Sequence, residues 1–524
     1  MKYQDHSPQD VHPRILVNRL AKGWSIRGNG VLDEFLRRWE HKVDTKAEIV
    51  ALGPNTLVFI QDISYIHLRG MHKVPCVVLG GAFLDPAATD QLRKTFTPAV
   101  LPFILTLSEG CYQQATHILP KDRCLILTPD QIVHILISDE RGLILKNLLW
   151  QQIPKIRLSP YNLLQPAEGG MFFGRENEVA RLIDEETTSF AIAGPGRIGK
   201  TSLLKRYRHD MLRRRDLRSG YRFMISFFDC QHTSSDRIAR FVAMNIAPSA
   251  KSDKMNTDGL VKFLQYCSKD GPLDLLLDEV DLVCDSDAFK ALGAAARLGY
   301  CRLVLSGRGV LLKSMLSPKN PLECRMDLIQ LGPLDHSSAY ALLSRPFADM
   351  NLGFSEPDLI ADQVLRFTGR LPHQLQLFCM KLMDLAIKGH LDTISVDQIE
   401  IVKQDFVVAQ YFINPVLTVE DPEARLIGLL LLRRGKRKFS ITDVQEIASR
   451  VGLQRSFERV LDICNELVIN NVLSWAAGSY QIATEGLFFY AHQMNYLDNA
   501  VYETYQILRN QRRVPDNELP EDAL

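Results

Sequence analysis

The stretch AIAGPGRIGKTSLLK, Ala191 to Lys205, decides how this chain is read. SFAIA, Ser189 to Ala193, has the apolar run of a buried strand, and SLLKRYRHDML after it has the composition of a helix. Between them Gly194-Pro195-Gly196-Arg197-Ile198-Gly199-Lys200-Thr201 fits G-x-x-x-x-G-K-[ST]. Glycines at those positions let backbone N–H groups turn inward around a phosphate. The lysine then reaches the terminal phosphates, and the hydroxyl of Thr201 is placed to ligate Mg2+. The positive end of the following helix, which starts near Ser202, points at the same anion. The spacing therefore predicts a nucleotide site that takes ATP or ADP with Mg2+.

Hydrolysis needs an acidic partner. LDLLLDEVD, Leu273 to Asp281, reads as an apolar strand that ends in two carboxylates. Asp278 is expected in the Mg2+ shell, and Glu279 is placed to polarise the attacking water. Asp274, inside the strand, reads as a partnered acid and not as a ligand. A further strand, CRLVLSGR, Cys301 to Arg308, ends in Ser306 and Arg308. Polar groups at the end of such an additional strand lie beside the γ-phosphate, and the planar fork of Arg308 suits phosphate oxygens. The catalytic candidates are thus Lys200, Glu279 and Arg308.

The chain has 524 residues, 46% hydrophobic and 23% charged, with a formal net charge of +1. That length suggests several domains, and the charge means that a polyanion must be met by a local patch. The ten cysteines form no CxxC pair and no zinc spacing, which fits buried, reduced thiols in the cytoplasm. MKYQDHSPQD is too polar for a signal peptide, and LIGLLLL is too short to cross a bilayer, so no membrane role is expected.

The expected fold is multidomain α/β. Residues 1–157 alternate short strands (EIVAL, TLVFIQ, CVVLGG, PFILTL, CLILT) with helical stretches at Leu32–Trp39, Ala88–Phe96 and Gln131–Leu136. Proline and glycine mark 158–170 as a linker. A P-loop core with a parallel sheet occupies 171–330. A helical lid without a clear strand follows at 331–416. Residues 417–490 give three helical stretches and a hairpin, VLSWAAGSYQIA, which is the pattern of a winged helix; 491–524 is a helix and tail.

Together these motifs resemble the AAA+/STAND group of P-loop ATPases over about Phe172 to Tyr490. FFGRENEVARL resembles the group's F-G-R-x-x-E box, which implies Phe173, Gly174 and Arg175 near the adenine. IQLGPLDHSSAYALL resembles the start of its lid. FTGRLPHQLQLFC resembles the G-x-x-P motif of STAND proteins, whose proline, here Pro372, touches the nucleotide and couples its state to domain posture. The lid lacks the G-x-x-R arginine of ring motors, which favours a switch over a motor. The resemblance implies ADP-closed and ATP-open states, nucleotide-dependent self-assembly and a role in bacterial defence or signalling.

Two other readings stand beside it. One is a DNA-binding ATPase resembling origin-recognition or transposition regulators, contacting phosphates through Arg433, Arg434, Lys436, Arg437 and Lys438. The third helix of the winged unit carries Arg455 and Arg459, but also Glu458, Asp462 and Glu466. The basic run 205–222, with eight Lys/Arg, reads as a solvated helix face. The other reading is an ATPase-controlled nuclease effector. TLVFIQDIS has no lysine at the place such a nuclease needs, so the N-terminal module is expected to be a non-catalytic contact module for a partner protein.

Overall fold

The computed structural model describes residues 12–22, 30–40, 50–53, 56–62, 73–81, 101–120, 123–154, 158–163, 166–217, 224–229, 237–247, 255–269, 271, 273–284, 286–316, 326–476, 478–493, 496–511 and 513–514. The N-terminal region holds α1 (Pro13–Leu20), α2 (Gly30–Glu40), β1 (Val50–Gly53), β2 (Thr56–Asp62), β3 (Lys73–Leu79), β4 (Phe103–Thr106), α3 (Glu109–Ile118), β5 (Leu125–Leu127), α4 (Pro129–Ile137) and α5 (Arg141–Gln152). Its sheet has the order β1-β2-β3-β4-β5. The first three strands form an antiparallel meander and the last three run parallel, so this α/β module is mixed. The helix expected at Ala88–Phe96 lies outside the described residues.

The central region contains α6 (Glu176–Asp184), β6 (Ser189–Ala193), α7 (Lys200–Leu217), β7 (Met224–Asp229), α8 (Ile238–Ile246), α9 (Thr257–Ser268), β8 (Leu273–Asp278), α10 (Asp287–Arg297), β9 (Arg302–Gly307), α11 (Gly309–Leu316) and β10 (Met326–Gln330). All neighbouring strands are parallel, in the order β10-β6-β9-β8-β7. Every residue of β6, β8 and β9 is buried, which accounts for their largely apolar composition. The inserted β9 separates the phosphate-loop strand from the acidic strand. Ser306 and Arg308 therefore emerge between Gly194 and Asp278.

One charge inside this sheet is fully partnered. Asp274 accepts hydrogen bonds from Tyr207 and from Arg302, the latter at 3.3 Å. Arg302 also donates to the carbonyls of Thr188 (2.7 Å) and Leu182 (2.6 Å). Burial raises the Asp274 carboxyl, and Arg302 opposes that rise. Asp274 sits at the end of β8 far from Asp278, as a structural acid.

The next region is helical: α12 (His336–Asp349), α13 (Pro357–Thr368), α14 (Pro372–Lys388), α15 (Val396–Lys403) and α16 (Phe406–Leu417). It also contains two short strands, β11 (Gly353–Phe354) and β12 (Thr393–Ile394), paired in parallel. The sequence shows no strand here because two residues are too few to display a period. Asp335 caps α12 by accepting from the Ser338 amide at 2.9 Å.

The C-terminal region comprises α17 (Pro422–Arg433), β13 (Lys438–Phe439), α18 (Ile441–Arg450), α19 (Phe457–Ile469), β14 (Leu473–Ala476), β15 (Ser479–Ile482), α20 (Glu485–Gln493) and α21 (Tyr496–Asn510). The expected hairpin is present, and β13 adds a third antiparallel strand on the β15 side. This helix–strand–helix–helix–hairpin unit is the one whose sequence has the winged-helix pattern. Among the described residues, no helix is long and apolar enough to cross a membrane.

The described residues of this linker, 158–163 and 166–170, are more than a spacer. Leu158 and Tyr161 are buried in one apolar cluster that holds Trp39 and Leu105 of the N-terminal module and Leu343 and Phe347 of α12. The Tyr161 hydroxyl donates to the carbonyls of Leu342 (3.0 Å) and Leu343 (3.2 Å). The Ala167 amide donates to the Ser202 hydroxyl at 2.9 Å. Proline and glycine hide this role from a periodicity argument, because an irregular strap carries no repeat.

Candidate active site

At the carboxyl ends of β6, β8 and β9 lies a cleft of about 430 Å3. Its walls come from four places: Asn162 and Leu163 of the strap; Phe172, Phe173 and Arg175; the loop 197–202 with Glu279 and Arg308; and Leu342, Pro372 and His373 of the lid. Carboxyl ends of parallel strands are where ligands bind in open α/β sheets.

The phosphate loop turns as its glycines demand. Gly199 has φ +105 with nothing within 4 Å of a Cβ built there, and that leaves the mouth of the loop clear. A Cβ on Gly194 would meet the Leu331 carbonyl at 3.0 Å, so that glycine is held by crowding. Ile198 is buried and anchors the loop, while Lys200 is buried with its ammonium donating to the carbonyls of Gly194 (3.0 Å) and Pro195 (2.9 Å). Burial lowers the Lys200 ammonium, and Glu279 opposes this.

Asp278 is the hub of the acidic side. It accepts from the Thr201 hydroxyl at 2.6 Å, from the Ser306 hydroxyl, and from the Glu279 amide at 3.1 Å. Ser306 thus orients Asp278 at the strand end. Thr201 and Asp278 set hard oxygen donors side by side at the mouth of the loop, so the residues present fit Mg2+ with a nucleotide. When bound, that ion would neutralise charge on the phosphates.

Glu279 has φ +51, a left-handed backbone that is unusual for a side chain this large. The turn lifts its carboxylate off the strand and toward the cleft. Burial raises its carboxyl, and Lys200 and Arg308 act against that. Arg308 lies 3.7 Å from the Glu279 carboxylate, and its guanidinium carbon is 3.7 Å from a Cβ built on Gly196. It therefore stands between phosphate loop and acid.

Asp281 was not singled out from sequence, yet it fixes Arg308. Its carboxylate accepts from the Arg308 amide (2.9 and 2.8 Å) and the Leu311 amide (3.1 Å). A Cβ on Gly307 would come within 2.7 Å of Leu311 Cβ and 3.0 Å of that carboxylate, so the site is too crowded for a side chain. An acid three residues beyond Asp278 was the available signal, but its partners lie a strand and a helix later.

The box residues divide. Phe173 and Arg175 line the cleft. Gly174, at φ +69, abuts Ser338, where a Cβ would come within 2.5 Å, so it fixes the lid. Arg175 is buried and donates to the Gly332 carbonyl and to Glu178 (3.2 Å), which ties the box to the junction of core and lid.

The basic candidates on the C-terminal unit are largely matched. Arg433 pairs with Asp498 (2.9 Å), Lys436 with Asp443 (3.0 Å) and Arg437 with Glu485 (3.2 Å). Arg455 pairs with the buried Glu423 (2.9 Å), and Arg459 with Glu423 (3.0 Å) and Asp421. Arg434 and Lys438 are exposed. The outer face of α19 instead shows Phe457 and Leu461.

The strand order, the phosphate loop and the acidic pair define the class of fold: a P-loop core with one strand inserted between the phosphate-loop strand and the acidic strand, beside a helical lid. No family model and no curated protein matches the chain. Solved structures do resemble it in fold. The Walker-type ATPase PABY2304 of Pyrococcus abyssi is 16% identical with a TM-score of 0.48, covering 63% of this chain and 99% of that one. The Aeropyrum pernix ORC2 protein is 13% identical with a TM-score of 0.46, covering 65% and 97%. The Thermotoga maritima RuvB branch migration motor is 12% identical with a TM-score of 0.37, covering 63% and 98%.

Proposed function

We propose that the chain is an ATP-binding and slowly ATP-hydrolysing switch in which nucleotide state sets the posture of lid and C-terminal unit. One observation carries this reading. The C-terminal unit rests on the core beside the γ-phosphate reader: a Cβ on Gly309, next to Arg308, would lie 3.4 Å from Ile469 at the end of α19. A shift of Arg308 toward a γ-phosphate would be felt at that contact.

The chemistry follows from the chain's own groups. Lys200 exchanges its loop carbonyls for phosphate oxygens. Glu279 orients the attacking water and takes its proton. Arg308 leaves Glu279 for the transferred phosphoryl group, where its fork matches the oxygens. Pro372 and His373 line the cleft from the lid and bring the lid into contact with nucleotide. ADP then favours the closed arrangement, and ATP shifts the population toward an open one that admits a partner protein or a second copy.

The test is limited proteolysis of the ADP-loaded and ATP-loaded protein, with Glu279→Gln holding the ATP state. Faster cleavage between lid and C-terminal unit with ATP is expected. Identical patterns in both states would overturn the switch.

The DNA reading has two cations without an ion pair among the described residues of its basic cluster, Arg434 and Lys438, while Lys436 and Arg437 are exposed but paired. Duplex binding measured over a salt series should then show a log–log slope no steeper than about −2. A slope near −5 would mean that the paired arginines are released, and it would restore that reading.

A further inference from the structure

The phosphate loop is joined directly to the lid, through a residue that its motif leaves open. Arg197 is the fourth residue of the loop and has φ +63, a region that arginine seldom adopts. Its side chain turns away from the loop. Its Nη1 is 2.8 Å from His373 Nε2, across 176 positions of sequence. Its guanidinium also sits 5.3 Å over the ring of Tyr411. The rings of His373 and Tyr411 lie 5.3 Å apart, so the two form one slot. His373 follows Pro372 at the start of α14, and Tyr411 is on α16.

The slot suits a cation only while the imidazole is neutral and its Nε2 accepts. Burial, with Arg197 second, holds His373 down at about 4. The slot also reaches further. Phe412, next to Tyr411, packs on Tyr490 of α20 at 5.6 Å, and a Cβ on Gly486 would collide with the Phe412 ring. A continuous contact path thus runs from the tip of the phosphate loop, through the lid, to the C-terminal unit.

We propose that Arg197 is a positioning residue: its clasp on His373 and Tyr411 couples occupancy of the phosphate loop to closure of the lid. The γ-phosphate of a triphosphate seated in the loop competes for the guanidinium, because phosphate oxygens are stronger acceptors than an imidazole nitrogen. Binding of a triphosphate therefore loosens the clasp, and the loss of its γ-phosphate re-forms it over the diphosphate. In this lid, which lacks the arginine of ring motors, the coupling cation comes from the loop side. The inference rests on the nucleotide reading above, but the clasp itself needs no nucleotide.

Arg197→Gly is the informative variant, since glycine keeps the positive φ and removes only the side chain. Hydrogen exchange of the nucleotide-free protein should show amides at the start of α14 and in α16 exchanging about tenfold faster or more, the equivalent of one lost charged hydrogen bond. His373→Ala approaches the clasp from the lid and should do the same, and the double variant should be no faster than either single. Release of a fluorescent ADP analogue should accelerate in all three, and Arg197→Lys, which keeps charge without the fork, should restore only part of the retention. Unchanged exchange in Arg197→Gly, or additive effects in the double variant, would overturn the clasp. If the wild type binds no nucleotide while the exchange results hold, the nucleotide reading fails and the clasp stands as a structural tie.

Discussion

Lys200→Ala is expected to lose ATP and ADP affinity by roughly 100-fold to 10,000-fold, the worth of two charge-assisted hydrogen bonds. The ammonium is buried against the loop carbonyls, with Gly194 at 3.0 Å and Pro195 at 2.9 Å. Alanine cannot replace either hydrogen bond, and Arg308 is held over Gly196 and beside Glu279. The lysine serves the loop and not the sheet, so the fold should survive. Isothermal titration with both nucleotides, run beside a circular-dichroism spectrum, checks this. Wild-type affinity in a folded variant would sink the assignment of the loop.

Glu279→Gln should separate binding from turnover. Glutamine fills the same space and keeps the backbone turn at φ +51, but it cannot take a proton from water. Removing a general base costs about 100-fold to 10,000-fold in rate. Phosphate release should fall by that factor while ATP affinity stays within a few-fold of wild type. Arg308 loses its charged partner at 3.7 Å in this variant and becomes available to the γ-phosphate, which works in favour of binding. Turnover at the wild-type rate would remove Glu279 from the mechanism and leave the motif's acidic role to Asp278.

The two variants also test each other. Loss of binding in Lys200→Ala with retained binding in Glu279→Gln is the pattern of a site whose loop holds phosphate and whose acid acts on water. Loss of binding in both would mean that the carboxylate is needed to hold Lys200 or Arg308 in place, which is a structural role.

Much of the site is legible in the sequence because its signals are local. A strand that must be buried, a loop that must turn and a helix that must begin follow one another within Ala191–Lys205, and glycine is the residue such a turn requires. The pair Asp278–Glu279 is visible because carboxylates are costly to bury, so two of them closing an apolar run mark the point where a strand leaves the core. Asp274 reads as a partnered acid, and Arg302 and Tyr207 are its partners. The role of Asn162, Leu163, Pro166 and Ala167 as a wall of the cleft is not legible, since the strap has no period and its contacts, Tyr161 with α12 and Ala167 with Ser202, are made with distant segments.

The sequence by itself determined the phosphate loop, the acidic strand end and the helical lid, because each depends on residues within a few positions of one another. Only the tertiary structure decided where the charges go. Ser306 turned to Asp278, Arg459 was taken up by Asp421 and Glu423, and Arg197 crossed 176 positions to His373. The physical reason is that an ion pair or a hydrogen bond is set by what stands opposite in space, and composition along the chain does not contain that.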